Sequence, residues 1–172
     1  MELWELYDEN RIPLGKKIAR GQKPGAGEYR TVVHVCLFSP DGKMLIQRRQ
    51  PFKEGWSGMW DVTVGGCAIA GETPKQAAER ELFEELGIRL SLPRQHLTVN
   101  FEKGFDDVFL ATYDVNPASL TLQEEEVAEA RWARETEIIE MLRGNLFIPY
   151  HESFIHLLFD MRDKYGVHGG KI

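Results

Sequence analysis

Glutamates stand at positions 81, 84 and 85, with Arg80 directly before them. At about 100° per residue, positions i, i+3 and i+4 share one face of a helix, so Glu81, Glu84 and Glu85 would crowd three carboxylates together. Three like charges at that spacing repel and call for something positive among them. An all-oxygen cluster suits a hard cation, Mg2+ or Mn2+, better than a thiolate-seeking metal. Arg80 can pair with Glu84 one turn on, or reach back to Glu72, and so hold a carboxylate in place. Taken alone, a Glu-rich helix face is more often plain solvated surface. The elements around it decide between the two readings.

Those elements are well marked. Thr73 is a helix-capping residue, and Pro74 suits the first helical position, where its missing N–H needs no partner. Ala78, Leu82, Phe83 and Leu86 supply an apolar stripe, and Gly87 accepts the left-handed conformation that ends a helix. A glycine-containing loop, Gly65-Gly66-Cys67, precedes this helix.

Read as one pattern, Gly66, Glu72, Arg80, Glu81, Leu82, Glu84, Glu85, Gly87 and Ile88 stand in the register of the Nudix box, which this segment resembles. The resemblance implies that Glu81, Glu84 and Glu85 bind Mg2+ or Mn2+ with the backbone carbonyl of Gly65, and that Arg80 and Glu72 orient them. It also implies the fold: class α/β, a Nudix-type α/β/α sandwich with a mixed sheet. The whole of 1–172 is expected as one domain, with an N-terminal hairpin and linker at 1–27 and the core at 28–165.

Composition bounds the rest. A chain of 172 residues suffices for one domain with a sizeable core. A hydrophobic fraction of 42% excludes a disordered chain, and no apolar run reaches the length of a membrane span. The start, Met-Glu-Leu-Trp-Glu-Leu, lacks the pattern of a secretory signal, so a cytoplasmic location is expected. Cys36, in an apolar strand pattern, and Cys67, in the box loop, read as free thiols in a reducing compartment. A net charge of −6 without a Lys/Arg run argues against nucleic-acid polymers as partners. It leaves a small diphosphate bound through metal ions; a homodimer stays open.

Along the chain, residues 2–20 suggest a hairpin, followed by a Gly/Pro linker (Gly21–Gly27) that reads as plain connection rather than a device seating the hairpin on the main sheet. Thr31–Phe38 and Lys43–Arg49 should pair antiparallel around Ser39-Pro-Asp-Gly42. His34 reads as a hydrogen-bonded structural residue. Arg48 and Arg49 point to opposite faces, so one of them can join Lys53 over phosphate oxygens, if the pair is more than surface charge. Trp56 and Trp60 read as packing residues ahead of a strand at Asp61–Val64. Strands are expected at Leu97–Phe101, Val108–Tyr113 and Ala130–Trp132, and helices at Thr136–Leu142 and Tyr150–Tyr165. Asp106 and Asp107 read as hairpin-turn residues. Glu124–Glu126 reads as a solvated run, with Glu125 and Glu126 as minor candidates for a general base.

Gln47-Arg-Arg49, Lys53 and Trp56-x-Gly58-x-Trp60 are similar to the isopentenyl-diphosphate-isomerase branch of the superfamily, in which the residues at Arg49 and Lys53 would hold a diphosphate. Isomerisation needs a cysteine where this chain has Gly65. It also needs metal-binding histidines where it has Cys67 and near Arg30. What remains is equipment for hydrolysis: metal ions on the box glutamates that neutralise phosphate oxygens and activate a water against phosphorus. The expected activity is therefore Mg-dependent pyrophosphohydrolysis of a nucleoside diphosphate linked to some group X, or of a related organic diphosphate. Isopentenyl-diphosphate isomerisation and a non-catalytic diphosphate sensor are the alternatives.

Overall fold

Side-chain alternation assigns the layers. In the computed structural model, which describes residues 2–168, the strands are β1 (Leu3–Tyr7), β2 (Pro13–Ala19), β3 (Arg30–Phe38), β4 (Met44–Arg49), β5 (Trp60–Asp61), β6 (Val64–Cys67), β7 (Leu97–Phe101), β8 (Gly104–Thr112) and β9 (Val127–Ala133). The helices are α1 (Pro74–Leu86), α2 (Glu135–Arg143) and α3 (Glu152–Met161). Val33, Val35 and Leu37 of β3, Leu45 of β4 and Phe109 of β8 pack with Leu82 and Leu86 of α1. The residues between them, Cys36, Phe38, Met44, Ile46, Val108 and Leu110, pack on the other face with Ile138, Ile155 and Leu158 of α2 and α3. A period of two thus sends adjacent residues to opposite helical layers, giving the expected α/β/α sandwich.

The sheet is mixed. β3 runs parallel to β8 from Arg30↔Gly104 to Phe38↔Thr112, and antiparallel to β6 from Val32↔Cys67 to Val35↔Val64. β4 pairs antiparallel with β9, β5 and, at Phe38↔Met44, β3. The strand expected over Asp61–Val64 is broken instead: β6 begins at Val64 and runs into the box loop. At the break, the buried Thr63 hydroxyl donates to the Leu45 carbonyl and accepts from the Leu37 amide, tying β3 to β4.

Four further expectations are corrected. Asp106 and Asp107 lie inside β8, because the β7–β8 turn is only Glu102-Lys103. Their partners come from distant segments: His34 Nδ1 is 2.8 Å from Asp106, and Arg11 grips both oxygens of the fully buried Asp107. The β1–β2 hairpin forms as expected, but it is seated on the main sheet rather than merely tethered. Trp4 and Leu6 are buried, Tyr7 and Tyr29 exchange backbone hydrogen bonds of 2.8 and 2.9 Å, and Ala70 N–H donates to the Leu3 carbonyl. Trp56 is 52% exposed in the loop after β4 and packs no core, whereas Trp60 lies against the α2/α3 layer. Phe83 is also exposed, covered by the Arg89 guanidinium 3.7 Å from its ring centroid.

Candidate active site

The helix that carries the glutamates is fixed at both ends. Thr73 and Gln76 form a reciprocal capping box, and Gly87, at φ 70°, donates to the Phe83 carbonyl while Ile88 donates to that of Leu82. Leu82 and Leu86 are then drawn into the core, which leaves Glu81 against Gly66 of β6, Glu85 against Gln47 of β4, and Glu84 more exposed beside Arg80. Gly66 of β6 is there because nothing larger fits: a Cβ would fall 2.1 Å from a Glu81 carboxylate oxygen.

Arg80 organises these carboxylates. Its Nε donates to Glu72 at 2.8 Å, one terminal nitrogen to Glu81 at 2.9 Å and Glu84 at 3.0 Å, and the other to Glu72 and the Cys67 carbonyl, each at 3.1 Å. Both sequence-level pairings of Arg80 therefore occur together. Glu85 is different. It is buried, receives a hydrogen bond of 2.7 Å from the Gln47 amide, and among the described residues has no cationic partner. Burial raises its pKa well above the carboxylate range, and Glu81, Asp61 and Glu126 add to the rise. Burial likewise lifts Glu81 to about 7, against the pull of Arg80.

A cavity of about 430 Å³ opens in front of these residues. Gly65, Gly66, Arg80, Glu81, Glu84 and Glu85 form one side of it; Arg49, Lys53 and Glu126 are also in its wall. Arg48 points away and donates to the Gly58 carbonyl, so of the two arginines Arg49 is the one in the cavity. The register between β4 and β9 shifts between Arg48 and Arg49, the kind of irregularity that re-aims a side chain beside a site. Lys53 donates to Glu126 at 2.6 Å. Glu125 is exposed and outside the cavity. Glu72 lies behind Arg80, not in the wall.

Four wall residues carry no local sequence signal for this place: Glu2, Trp4 and Arg20 of the hairpin segment, and Arg30 at the start of β3. Only the comparison with the isomerase pattern had drawn attention to Arg30. Gln123 also lines the cavity, and its N–H donates to the Glu85 carbonyl, tying the segment before β9 to the end of α1.

Among the described residues no three carboxylate, thiol or imidazole groups already close around one point as a ligand shell. Arg80 occupies the space between Glu72, Glu81 and Glu84 and serves as their countercharge. The donors nevertheless fit a hard divalent cation. They are oxygens, one of them belongs to a buried carboxylate that has no cationic partner among the described residues, and the glycine at 66 lets that strand approach Glu81 closely.

A family model of the NUDIX domain matches residues 28–157. The chain belongs to the Nudix family. As a Nudix hydrolase it is an enzyme of a family whose members generally use divalent metal cations. It is 45% identical over 170 residues to an uncharacterized Nudix hydrolase of Listeria monocytogenes, covering 98% of this chain and 99% of that one. It is 33% identical over 150 residues to an isopentenyl-diphosphate Delta-isomerase of Streptomyces coelicolor, covering 80% of this chain and 74% of the isomerase. Its fold is similar to the crystal structure of a Deinococcus radiodurans protein, with a TM-score of 0.76 at 21% identity over 91% of this chain and 99% of that one. Among the described residues no helix is long and apolar enough to cross a membrane.

Proposed function

We propose that this Nudix enzyme hydrolyses the diphosphate linkage of a small nucleoside diphosphate-X or related organic diphosphate, with Mg2+ or Mn2+ and attack of water on phosphorus. One observation carries the reading: the three box carboxylates and the cations Arg49 and Lys53 line one cavity, metal-type oxygen donors beside groups that suit phosphate oxygens. In this reading Glu81, Glu84, Glu85 and the Gly65 carbonyl hold the metal. Bound there, it supplies neutralisation of phosphate charge and a more acidic water. Arg80 and Glu72 set the carboxylate positions, and Gln47 fixes Glu85. Arg49 and Lys53 take the diphosphate. Glu126 is the better placed of the two base candidates, since Glu125 faces solvent. Free thiols at Cys36 and Cys67 agree with a reducing, cytoplasmic location.

The similarity to an isomerase makes isomerisation the reading to test against. Here Gly65 stands at the cysteine position, and a Cβ there would lie 2.5 Å from the His34 ring. His34 is itself held by Asp106 and Tyr150, so it has little room to yield. Burial pushes the Cys67 thiol up to about 11, so it offers no thiolate. Gly65→Cys is therefore expected to lower stability by about 2 kcal/mol through overpacking and to gain no isomerase activity. Denaturant unfolding with an isomerisation assay checks both, and a stable, isomerising variant would favour the rival.

A metal at the box also has a pH signature. With Glu81 at about 7 in the folded state and 4.5 ordinarily, the metal-free fold gains stability from a bound proton below pH 4.5, and loses it as pH rises through about 7. Mg2+ competes with that proton. The rise in Tm on adding Mg2+ should be larger at about pH 8 than at about pH 5.5. A rise that shrinks with pH would place the metal elsewhere.

The function itself is tested by release of phosphate or nucleoside monophosphate from nucleotide sugars, dinucleotides, nucleoside triphosphates and isopentenyl diphosphate, with Mg2+ and with EDTA. Mg2+-dependent release from at least one class is expected. Isomerisation without release, or silence on all, would reject hydrolysis in favour of the isomerase or the sensor.

A further inference from the structure

Among the described residues five cations line the cavity, and three of them are already neutralised. Arg80 is held by Glu72, Glu81 and Glu84, Arg20 by Glu2 at 3.0 Å, and Lys53 by Glu126 at 2.6 Å. Arg30 and Arg49 are not. Among the described residues neither has an ion-pair partner, and the Nε of each is buried without a hydrogen bond. Two partly buried guanidiniums left in this state cost desolvation energy that an anion would recover.

Arg49 has a use in the diphosphate site proposed above; Arg30 has none. Its guanidinium lies 4.8 Å from the centroid of the Trp4 ring, and that indole is fixed in turn, buried and donating to Glu2 at 2.9 Å. Glu2 binds Arg20, which also faces Glu126 at 3.7 Å. The hairpin thus places a fixed indole in the cavity wall, with the Arg30 guanidinium carbon over its ring. A guanidinium over an indole ring still has its N–H groups to offer, and these are the fork that binds phosphate or carboxylate through two parallel hydrogen bonds.

We infer that Arg30, seated on Trp4, forms a second anion subsite, so that the group X of the substrate carries an anionic group of its own, a phosphate or a carboxylate, beyond the diphosphate. The inference rests on the hydrolase reading of the same cavity. It also gives the hairpin a function: without it Arg30 loses its platform and the subsite its geometry.

The test is equilibrium binding by calorimetry to the Glu85→Gln protein in Mg2+, using two probes. One is 5-phosphoribosyl 1-diphosphate, which has a phosphate beyond its diphosphate; the other is isopentenyl diphosphate, which has none. The first is expected to bind at least about tenfold tighter, and adding Arg30→Gln should remove most of that difference while leaving isopentenyl diphosphate within about threefold. Arg30→Lys keeps the charge but loses the fork and should fall between, and circular dichroism confirms that both variants fold. Equal affinity for the two probes, a preference that survives Arg30→Gln, or an equal loss for both probes would overturn the inference. Failure of the hydrolase reading is separate: it shows as no Mg2+-dependent release from any diphosphate by the wild-type enzyme, whatever the binding ratio.

Discussion

Glu85→Gln is expected to lower kcat by about 10³-fold, equivalent to about 4 kcal/mol of transition-state stabilisation, while the protein becomes no less stable. The two effects have one cause. Glu85 is buried, has the Gln47 amide as its one side-chain hydrogen-bond partner among the described residues, and is pushed toward its neutral form by burial and by Glu81, Asp61 and Glu126. In the metal-free fold its charge is therefore a burden, and a neutral amide of the same shape removes it. In the working enzyme that same charge is, among the described residues, the one buried negative group in the cavity wall without a cationic partner. Steady-state kinetics and thermal unfolding without metal give the two readouts. Full activity in the variant would remove Glu85 from the mechanism. Lost activity with a large fall in Tm would mean that it serves the fold.

Arg11→Ala is expected to cost about 3 kcal/mol and to loosen the hairpin. Arg11 sits in the β1–β2 turn at φ 62° and grips the fully buried Asp107 of β8 through both carboxylate oxygens. Removing it leaves Asp107 with the Thr98 hydroxyl as its remaining side-chain donor in the interior. The value is placed low in the range for broken buried pairs because Arg11 is itself about one-third exposed. Urea unfolding measures the loss, and hydrogen exchange should show faster opening of residues 3–7 and 13–19 than of the main sheet. Since Trp4, Glu2 and Arg20 ride on this hairpin, KM should rise as well. A change below about 1 kcal/mol with unaltered hairpin exchange would show that β1 and β2 are held by other contacts.

What the sequence made legible was local. The caps of α1, the shared face of Glu81, Glu84 and Glu85, the reach of Arg80 to Glu72 and Glu84, and the opposite faces of Arg48 and Arg49 all follow from spacings of a few residues. Most main-sheet strands are legible as well, as apolar or β-branched runs bounded by turn residues, although their facing is set by the helices that pack on either side. What escaped was set by partners far along the chain. Asp106 and Asp107 look like turn residues until His34 and Arg11, distant by 72 and 96 positions, claim them. The hairpin looks detachable until the Arg11–Asp107 pair and the Tyr7–Tyr29 and Ala70–Leu3 backbone bonds seat it. Trp4 and Arg30 have no motif in common, and only the packing of the hairpin on β3 brings the indole and the guanidinium together. Phe83 and Trp56 fail for a simpler reason: an apolar side chain at helical spacing or in an aromatic loop is buried only when another element covers it, and none does here.

The central claim is attack of water on phosphorus under metal control. It is tested most directly by turning over a diphosphate substrate in ¹⁸O-labelled water with Mg2+ and following the products by ³¹P NMR and mass spectrometry. The account predicts a single ¹⁸O in one phosphoryl product, no reaction in EDTA, and an unaltered carbon skeleton. Release without label in any phosphoryl group would place the attack on carbon, and a rearranged alkene with its diphosphate intact would make the enzyme an isomerase; either result contradicts it.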